Sequence, residues 1–519
     1  MKRIYNLFTF FCAALLLVSC NDFLDTMPDN RAEVNSAAKI TSLLTSAYAT
    51  NSFLLISEMS SDNTKDNGAQ YDVYNQELED AYLWKDITTT GNDATKAIWD
   101  ANYGAAAAAN QALQAIEKLG NPTTLNAQKG EALICRAYAH FTLANLFCLA
   151  YNPTTADTDM GLPYSLSPET QVSVAYKRAN MTELYKKISD DIDAGLPLIN
   201  DEIYSVPKYH FNKKAAYAFA TRFNLYYQKY DKVIQYASVV LGDSPSNIFR
   251  NWAANNASAS NWTARTDAYI SASAPTNLLL QTAISSWPYV YGPYSIGKRY
   301  GNAKSVFTTE SVRVPGIWGA YSNLYPAGSV WGSDQKLCIS KIQSYFEYTD
   351  KVAKIGYSHS VTPAFTTDET LLCRAEAYIL QATPDYTKAV TDINTWLTTH
   401  CATITPKTKD NIVSFYSALP YMPLTITLDT ERKIKKELHP LGFTVAAGDQ
   451  ENMIQCILHL RRVETMHEGL RWYDIKRYGI EIAHNRDGLA PDLLKVGDPR
   501  RAIQLPQDVI GAGLTANPR

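Results

Sequence analysis

Apolar residues recur three and four positions apart in seven stretches, roughly 36–50, 93–119, 126–150, 181–198, 212–241, 367–399 and 450–478, and this spacing predicts a mainly helical chain. Asn126, Thr182 followed by Glu183, and Asn212 stand at the starts of such runs as candidate caps. Residues 105–109 are all alanine, so the second helix should allow close approach of a neighbour.

Two stretches share a pattern. Residues 211–242 read as helix, short break, helix, with Tyr230, Val233 and Ala237 at i, i+3 and i+7, and residues 367–396 repeat it with Tyr386, Ala389 and Ile393. Each resembles a tetratricopeptide helical hairpin, a unit that must stack on others to bury a continuous face. The runs near 93–150 and 181–241 would supply further units. Between 242 and 367 the helical pattern lapses into Ser, Asn, Gly, Pro and aromatic residues. That segment is too long for a simple connection and is predicted to be a folded, loop-rich subdomain, the kind of excursion that carries function on a rigid scaffold. Shorter excursions cover about 56–93 and 401–447. The predicted organisation is a leader at 1–19, a helical repeat scaffold at 20–241, the loop-rich aromatic subdomain at 242–366 and a C-terminal helical region at 367–519.

The leader sets the compartment. Lys2 and Arg3 precede an apolar run at 7–18 broken only by Thr9, too short to span a bilayer but suited to a signal-peptide core. It ends in Leu17-Val18-Ser19-Cys20, which resembles the lipobox of bacterial lipoproteins, with cleavage before an acylated Cys20. Several acyl chains at about 0.8 kcal/mol per buried methylene would hold the protein to a membrane. No later run is a plausible transmembrane helix, because the most apolar one, 132–150, is interrupted by Arg136, His140 and Asn145. Of the six remaining cysteines, Cys135, Cys148 and Cys373 lie in apolar helical patterns and read as free buried thiols.

Composition narrows the ligand. Lys and Arg number 48 against 51 Asp and Glu, so the basic footprint of a nucleic-acid binder is missing. Charged residues are only 19% of the chain while aromatics reach 11%, with 34 tyrosines. No phosphate-cradling loop, nucleophile elbow or His-Glu-x-x-His pair occurs, and no cofactor is implied. Glu464 and His467 could share a helix face, but no second copy completes a di-metal site, so no metal is assigned. The acidic turns at 62–67 and 157–159 read as solvated.

The rings gather in one place: residues 287–331 hold ten aromatics in 45 positions, twice the chain average, many beside Gly, Pro, Ser or Asn. Sugar rings present C–H faces and a hydroxyl rim, so rings held on constrained loops beside polar side chains form a natural receptor. Most of these rings should form the subdomain's own core. Trp287, Tyr291, Tyr294, Trp318 and Trp331 are nominated to face ligand, with Trp84 and Asn92 as an opposite wall. Glu310 is the only acid in the ring-rich stretch, which weighs against hydrolysis there.

The motifs converge in order. Cys20-Asn21-Asp22-Phe23-Leu24-Asp25, Trp99-x-x-x-Tyr103 to Asn110, Gly130-Glu131-Ala132-Leu133-x-x-Arg136-Ala137-Tyr138-x-x-Phe141 and Gly161-Leu162-Pro163-Tyr164 resemble the SusD/RagB family of outer-membrane lipoproteins. So do Arg461-Arg462-Val463-Glu464, Glu468-Gly469-x-Arg471-Trp472-x-Asp474, Asp498-Pro499-Arg500 and Asn517-Pro518. The C-terminal charges are expected to pair along the helix surface, Glu468 with Arg471, Arg471 with Asp474 and Arg461 with Glu464. The resemblance implies a tetratricopeptide-like scaffold and a non-enzymatic surface protein. Such a protein captures oligosaccharides and passes them to a SusC-like TonB-dependent transporter in the outer membrane. Some relatives of the RagB kind bind peptides instead, which is the alternative, and a surface glycoside hydrolase is a third and weaker reading.

Overall fold

The computed structural model describes residues 34–169, 175–242, 247–258, 261–293, 297–331 and 336–519. The leader, Cys20 and Tyr294 lie outside these residues, and Trp331 is described only by its backbone. The fold is mainly α, with short antiparallel sheets built from β1 (Lys65–Asp66), β2 (Asn277–Ala283), β3 (Tyr300–Gly301), β4 (Ser329–Trp331), β5 (Lys336–Cys338), β6 (Tyr345–Asp350), β7 (Ile355–Thr366), β8 (Ile482–Arg486) and β9 (Leu489–Leu494).

The N-terminal helices are α1 (Ala37–Leu44), α2 (Leu54–Ser60), α3 (Gln76–Tyr82), α4 (Thr95–Lys118), α5 (Asn126–Phe147), α6 (Met181–Gly195), α7 (Lys213–Tyr226) and α8 (Tyr230–Leu241). Helix α5 is buried on almost every side, its polar residues Glu131, Arg136 and His140 included, which makes it the spine of the scaffold. Close packing there uses small residues as expected. Ala105 and Ala106 of α4 meet Ala139 of α5 in a cluster of their own. A Cβ on Gly130 would lie 2.9 Å from Leu198 Cβ and 3.0 Å from the Gly195 carbonyl.

Asn212 caps α7, its side chain accepting from Ala215 N at 3.1 Å. The other two expected caps are displaced. Asn126 is already helical, and α6 is capped by Asn180, which accepts from Glu183 N at 2.8 Å.

Downstream, α9 (Trp252–Ser258), α10 (Trp262–Tyr269), α11 (Trp287–Tyr291) and α12 (Lys304–Glu310) are short and interleave with strands. The C-terminal helices are α13 (Thr367–Leu380), α14 (Tyr386–His400), α15 (Lys409–Ser417), α16 (Asp449–Glu464), α17 (Leu470–Arg477) and α18 (Gln507–Gly511). The two hairpins read from the sequence, α7–α8 and α13–α14, stack directly, because α8 packs on α13. The loop-rich segment is therefore an insertion between neighbouring units of one stack.

That insertion carries a three-stranded sheet of β2 (Asn277–Ala283), β7 (Ile355–Thr366) and β6 (Tyr345–Asp350), in that order and antiparallel. Strand β7 runs straight into α13, and its last residue, Thr366, caps that helix by accepting from Glu369 N at 3.1 Å. The sheet is thus joined to the scaffold without a flexible link.

The C-terminal charges form a buried network, but with other partners than expected. Arg461 pairs with Asp474 at 3.0 Å, Arg471 with Asp62 at 2.8 Å, and Glu468 with Lys341 at 3.0 Å. Arg462, Arg432 and Lys436 converge on Glu310 at 2.7–2.9 Å. Helix-surface neighbours lose to partners from distant segments because these groups are buried, and a buried charge must be met from every side. The turn at 62–67 is corrected for the same reason: Asp62 and Asp66 are buried and not solvated. Burial alone would raise the Asp62 pKa, but Arg462 and Arg471 hold it well below the usual carboxylate range. Among the described residues all six cysteines are free and buried.

A candidate ligand-binding face on the inserted sheet

The nominated rings lie mostly inside the protein. Trp287 is 1% exposed and its indole N–H donates to the His467 carbonyl at 2.8 Å. Tyr291 is fully buried, its hydroxyl 2.8 Å from Thr64 Oγ1. Trp318 packs against His459, with ring centroids 4.8 Å apart, and over Gly316, where a Cβ would meet its ring at 2.5 Å. Trp84 is held at φ 49°, stacks on His484 and donates to the Ser60 carbonyl at 3.0 Å. These four are core residues, not ligand-facing ones. Large rings add much of the apolar area that the loop-rich unit buries, beside aliphatic residues such as Leu279, Val306 and Ile342. Trp331 ends the strand β4 (Ser329–Trp331), opposite Lys336.

Asn92 is exposed, and its carbonyl accepts from Asn51 Nδ2 at 2.9 Å. The two excursions do meet at this turn, through the neighbouring residue: Asp93 accepts from Ser286 N at 2.7 Å and from the Ser285 hydroxyl.

Exposed rings stand instead on the β6–β7 hairpin. Alternation along β6 puts Phe346 and Tyr348 on one face, each 50% exposed, with ring centroids 4.8 Å apart and planes at 69°. Across the ladder they face Ser358 and Gly356. A Cβ on Gly356 would come within 2.8 Å of Phe346 Cε1 and would overlap the Glu347 carbonyl oxygen, so glycine lets the ring lie against the strand.

Tyr289 extends this face. Helix α11 turns Trp287, Val290 and Tyr291 inward and leaves Tyr289 half-buried beside the hairpin. Ser344 Oγ donates to the Tyr289 hydroxyl at 3.1 Å, and Ser358 Oγ lies 3.1 Å from it. Those two hydroxyls lower the Tyr289 pKa. The result is a row of rings interleaved with hydroxyls, apolar in its faces and hydrogen-bonding at its edges.

The opposite face anchors the hairpin. Tyr345 donates to Asp267 of α10 at 2.6 Å and stacks on His359 at 5.8 Å. At the tip, Asp350 Oδ1 accepts from Val352 N and Ala353 N at 2.8 and 2.9 Å, an Asx-type turn that fixes the loop. Ring density over 287–331 misses Phe346 and Tyr348, which lie beyond that window. The run Tyr345, Phe346, Glu347, Tyr348 in the same insertion, rich in strand-favouring aromatic residues, is the signal that finds them.

A separate groove of about 850 Å³ opens in the helical scaffold, lined by Trp99, Tyr103, Gln111, Pro163, Tyr176 and Leu514 among others. Tyr103 spans its floor by donating to the Pro163 carbonyl at 2.8 Å.

With this architecture, two family models match the chain in succession: one described as starch-binding associating with outer membrane over residues 22–225, the other as SusD family over residues 325–498. The chain belongs to the SusD/RagB family. The hairpin lies within the second SusD match, whereas Trp287 and Trp318 fall in residues 226–324, between the two.

A SusD superfamily protein from Bacteroides fragilis is 16% identical with a TM-score of 0.63, over 92% of this chain and 98% of that one. A SusD-like carbohydrate binding protein from Bacteroides vulgatus is 15% identical with a TM-score of 0.56, over 86% and 84%. A laminarin binding SusD-like protein is 14% identical with a TM-score of 0.52, over 93% and 98%. At these identities the likeness is one of fold. No curated protein sequence matches the chain.

Proposed function

We propose that this SusD/RagB protein is a non-catalytic, cell-surface glycan receptor. The observation that carries the reading is the face of Tyr289, Phe346 and Tyr348 with Ser344 and Ser358, exposed yet tied to the scaffold through Tyr345 and the Thr366 cap. Fixed rings add contact area to a sugar's C–H face at low entropic cost, and the neighbouring hydroxyls meet its rim. Lipid on Cys20 would hold the protein at the outer membrane, and captured oligosaccharide would pass to a SusC-like TonB-dependent transporter. The match described as associating with outer membrane, and a laminarin-binding protein among the structural relatives, support this reading.

Calorimetry of the mature protein against an oligosaccharide panel that includes β-1,3-glucans is expected to give binding that Phe346→Ala and Tyr348→Ala weaken. A panel with no binder sinks the glycan reading. Loss on Trp99→Ala with the hairpin variants silent moves the site to the scaffold groove. A second reading rests on strand order: β6 is one of the two edge strands of its sheet, and an extended peptide could add to it. Peptides that co-purify with the protein and protect β6 amides from hydrogen exchange would favour it.

A further inference from the structure

Away from this face, three ligand-type side chains meet where α13, α14 and α16 converge. Asp368 lies in the first turn of α13, His400 is the last residue of α14 and Glu464 the last of α16. All three are buried, and one donor atom of each lies within 4.8 Å of the others. We propose that Asp368, His400 and Glu464 form a site for one divalent transition-metal ion of the zinc class, three protein ligands that leave a fourth position for water and join the C-terminal helices through the ion.

The orientation of His400 is the main support. Its Nδ1 lies 2.9 Å from the Trp396 carbonyl, which can only accept, and 3.0 Å from Thr399 Oγ1, so Nδ1 carries a proton and Nε2 is the lone-pair donor of the neutral ring. Metal-binding histidines are commonly fixed this way, with the far ring nitrogen donating to a carbonyl. The Trp396 indole stacks on the imidazole at 3.9 Å and 12°, which locks the ring plane. Nε2 is buried without a hydrogen bond, although Glu464 Oε2 is 2.8 Å away.

Both carboxylates are oriented by hydrogen bonds from neighbouring groups. Trp396 Nε1 donates to Glu464 Oε2 at 2.9 Å, and Asp368 accepts from Arg250 N at 3.3 Å and from the Thr276 hydroxyl. One imidazole and two carboxylates suit a borderline cation such as Zn²⁺ better than Ca²⁺, which takes oxygen ligands only. His467, the histidine that sequence spacing sets beside Glu464, faces elsewhere. Its Nδ1 is 3.0 Å from Asn302 Oδ1, and its Nε2 accepts from Ile339 N.

The competing arrangement is a protonated His400 paired with Glu464, with no ion. The full mature protein, stripped with chelator and then given Zn²⁺ alone, separates the two. Expected results are one zinc retained per chain through gel filtration, a higher Tm with zinc than with chelator, and a Co²⁺-loaded form with visible d–d absorption. His400→Gln, folded by circular dichroism, should lose the retained zinc. Zinc uptake well below one per chain by the wild-type protein, or equal retention by His400→Gln, overturns the proposal. Should the variant not fold, ¹⁵N chemical shifts of the wild-type His400 ring decide: an imidazolium unmoved by Zn²⁺ overturns the site, and a metal-shifted Nε2 supports it.

Discussion

Two aromatic clusters in one insertion behave in opposite ways. Trp287, Tyr291 and Trp318 are closed into the body, each at or below 2% exposure, whereas Phe346 and Tyr348 stand half exposed on a strand. The first cluster has the higher ring density, and its rings join buried Leu, Ile and Val in the core of the unit. The second pairs its rings with Ser and Gly across the ladder, side chains too small to cover them. Ring density alone does not separate the two, since Tyr289 and the 45%-exposed Tyr321 lie in the dense stretch, and it is the small cross-strand neighbours that leave Phe346 and Tyr348 open.

The comparison breaks most clearly at Trp287. Trp287→Ala should cost about 3–5 kcal/mol of stability by denaturant titration, since it empties a fully buried indole site. Its folded fraction should bind glycan with unchanged affinity. The reverse result, stability kept and binding lost, would make the buried cluster the site.

A second test uses the carboxylate beneath Trp287. The His467 carbonyl accepts from Trp287, and the His467 amide donates to Glu58 at 3.0 Å. Burial pushes the Glu58 pKa up from 4.5 to about 7, against hydrogen bonds from His467 and Asn63. Raised in the folded state, this group imposes no cost below pH 4.5, where both states are protonated. As pH rises towards about 7 the unfolded chain ionises first and stability falls, by on the order of 3 kcal/mol. Wild-type protein should lose stability relative to Glu58→Gln across that window. A flat difference between the two would show Glu58 ionising normally.

At the exposed cluster the effects move from stability to affinity. Phe346→Ala and Tyr348→Ala should each weaken glycan binding by about 5–20-fold, or about 1–2 kcal/mol, in calorimetry. Their unfolding free energies should stay within about 0.5 kcal/mol of wild type, as for surface positions. Tyr289→Phe is expected to be the mildest change. It removes a hydroxyl bonded to Ser344 and Ser358, worth about 0.5–1 kcal/mol, and should cost a few-fold in affinity.

The helical hairpins are legible in the amino-acid sequence, because apolar spacing at three and four residues is a local property that stacking merely uses. Close packing at Ala105 and Ala106 is legible for the same reason: a residue without bulk limits what can lie beside it. Charge partners are not. Arg471 finds Asp62 across more than four hundred residues rather than Glu468 three positions away, and no spacing rule reaches that far. Glu464 likewise meets His400 instead of His467.

The sequence by itself determined the helical scaffold, the position of its large insertion and the concentration of rings within that insertion, since each follows from periodicity and composition along the chain. Which rings are covered was decided by the tertiary structure alone. Trp287 and Tyr289 are two residues apart on one short helix, and only the packing of α11 against the body and the hairpin makes one core and the other surface. Burial depends on what other segments bring to a side chain, and that information is spread over the whole fold.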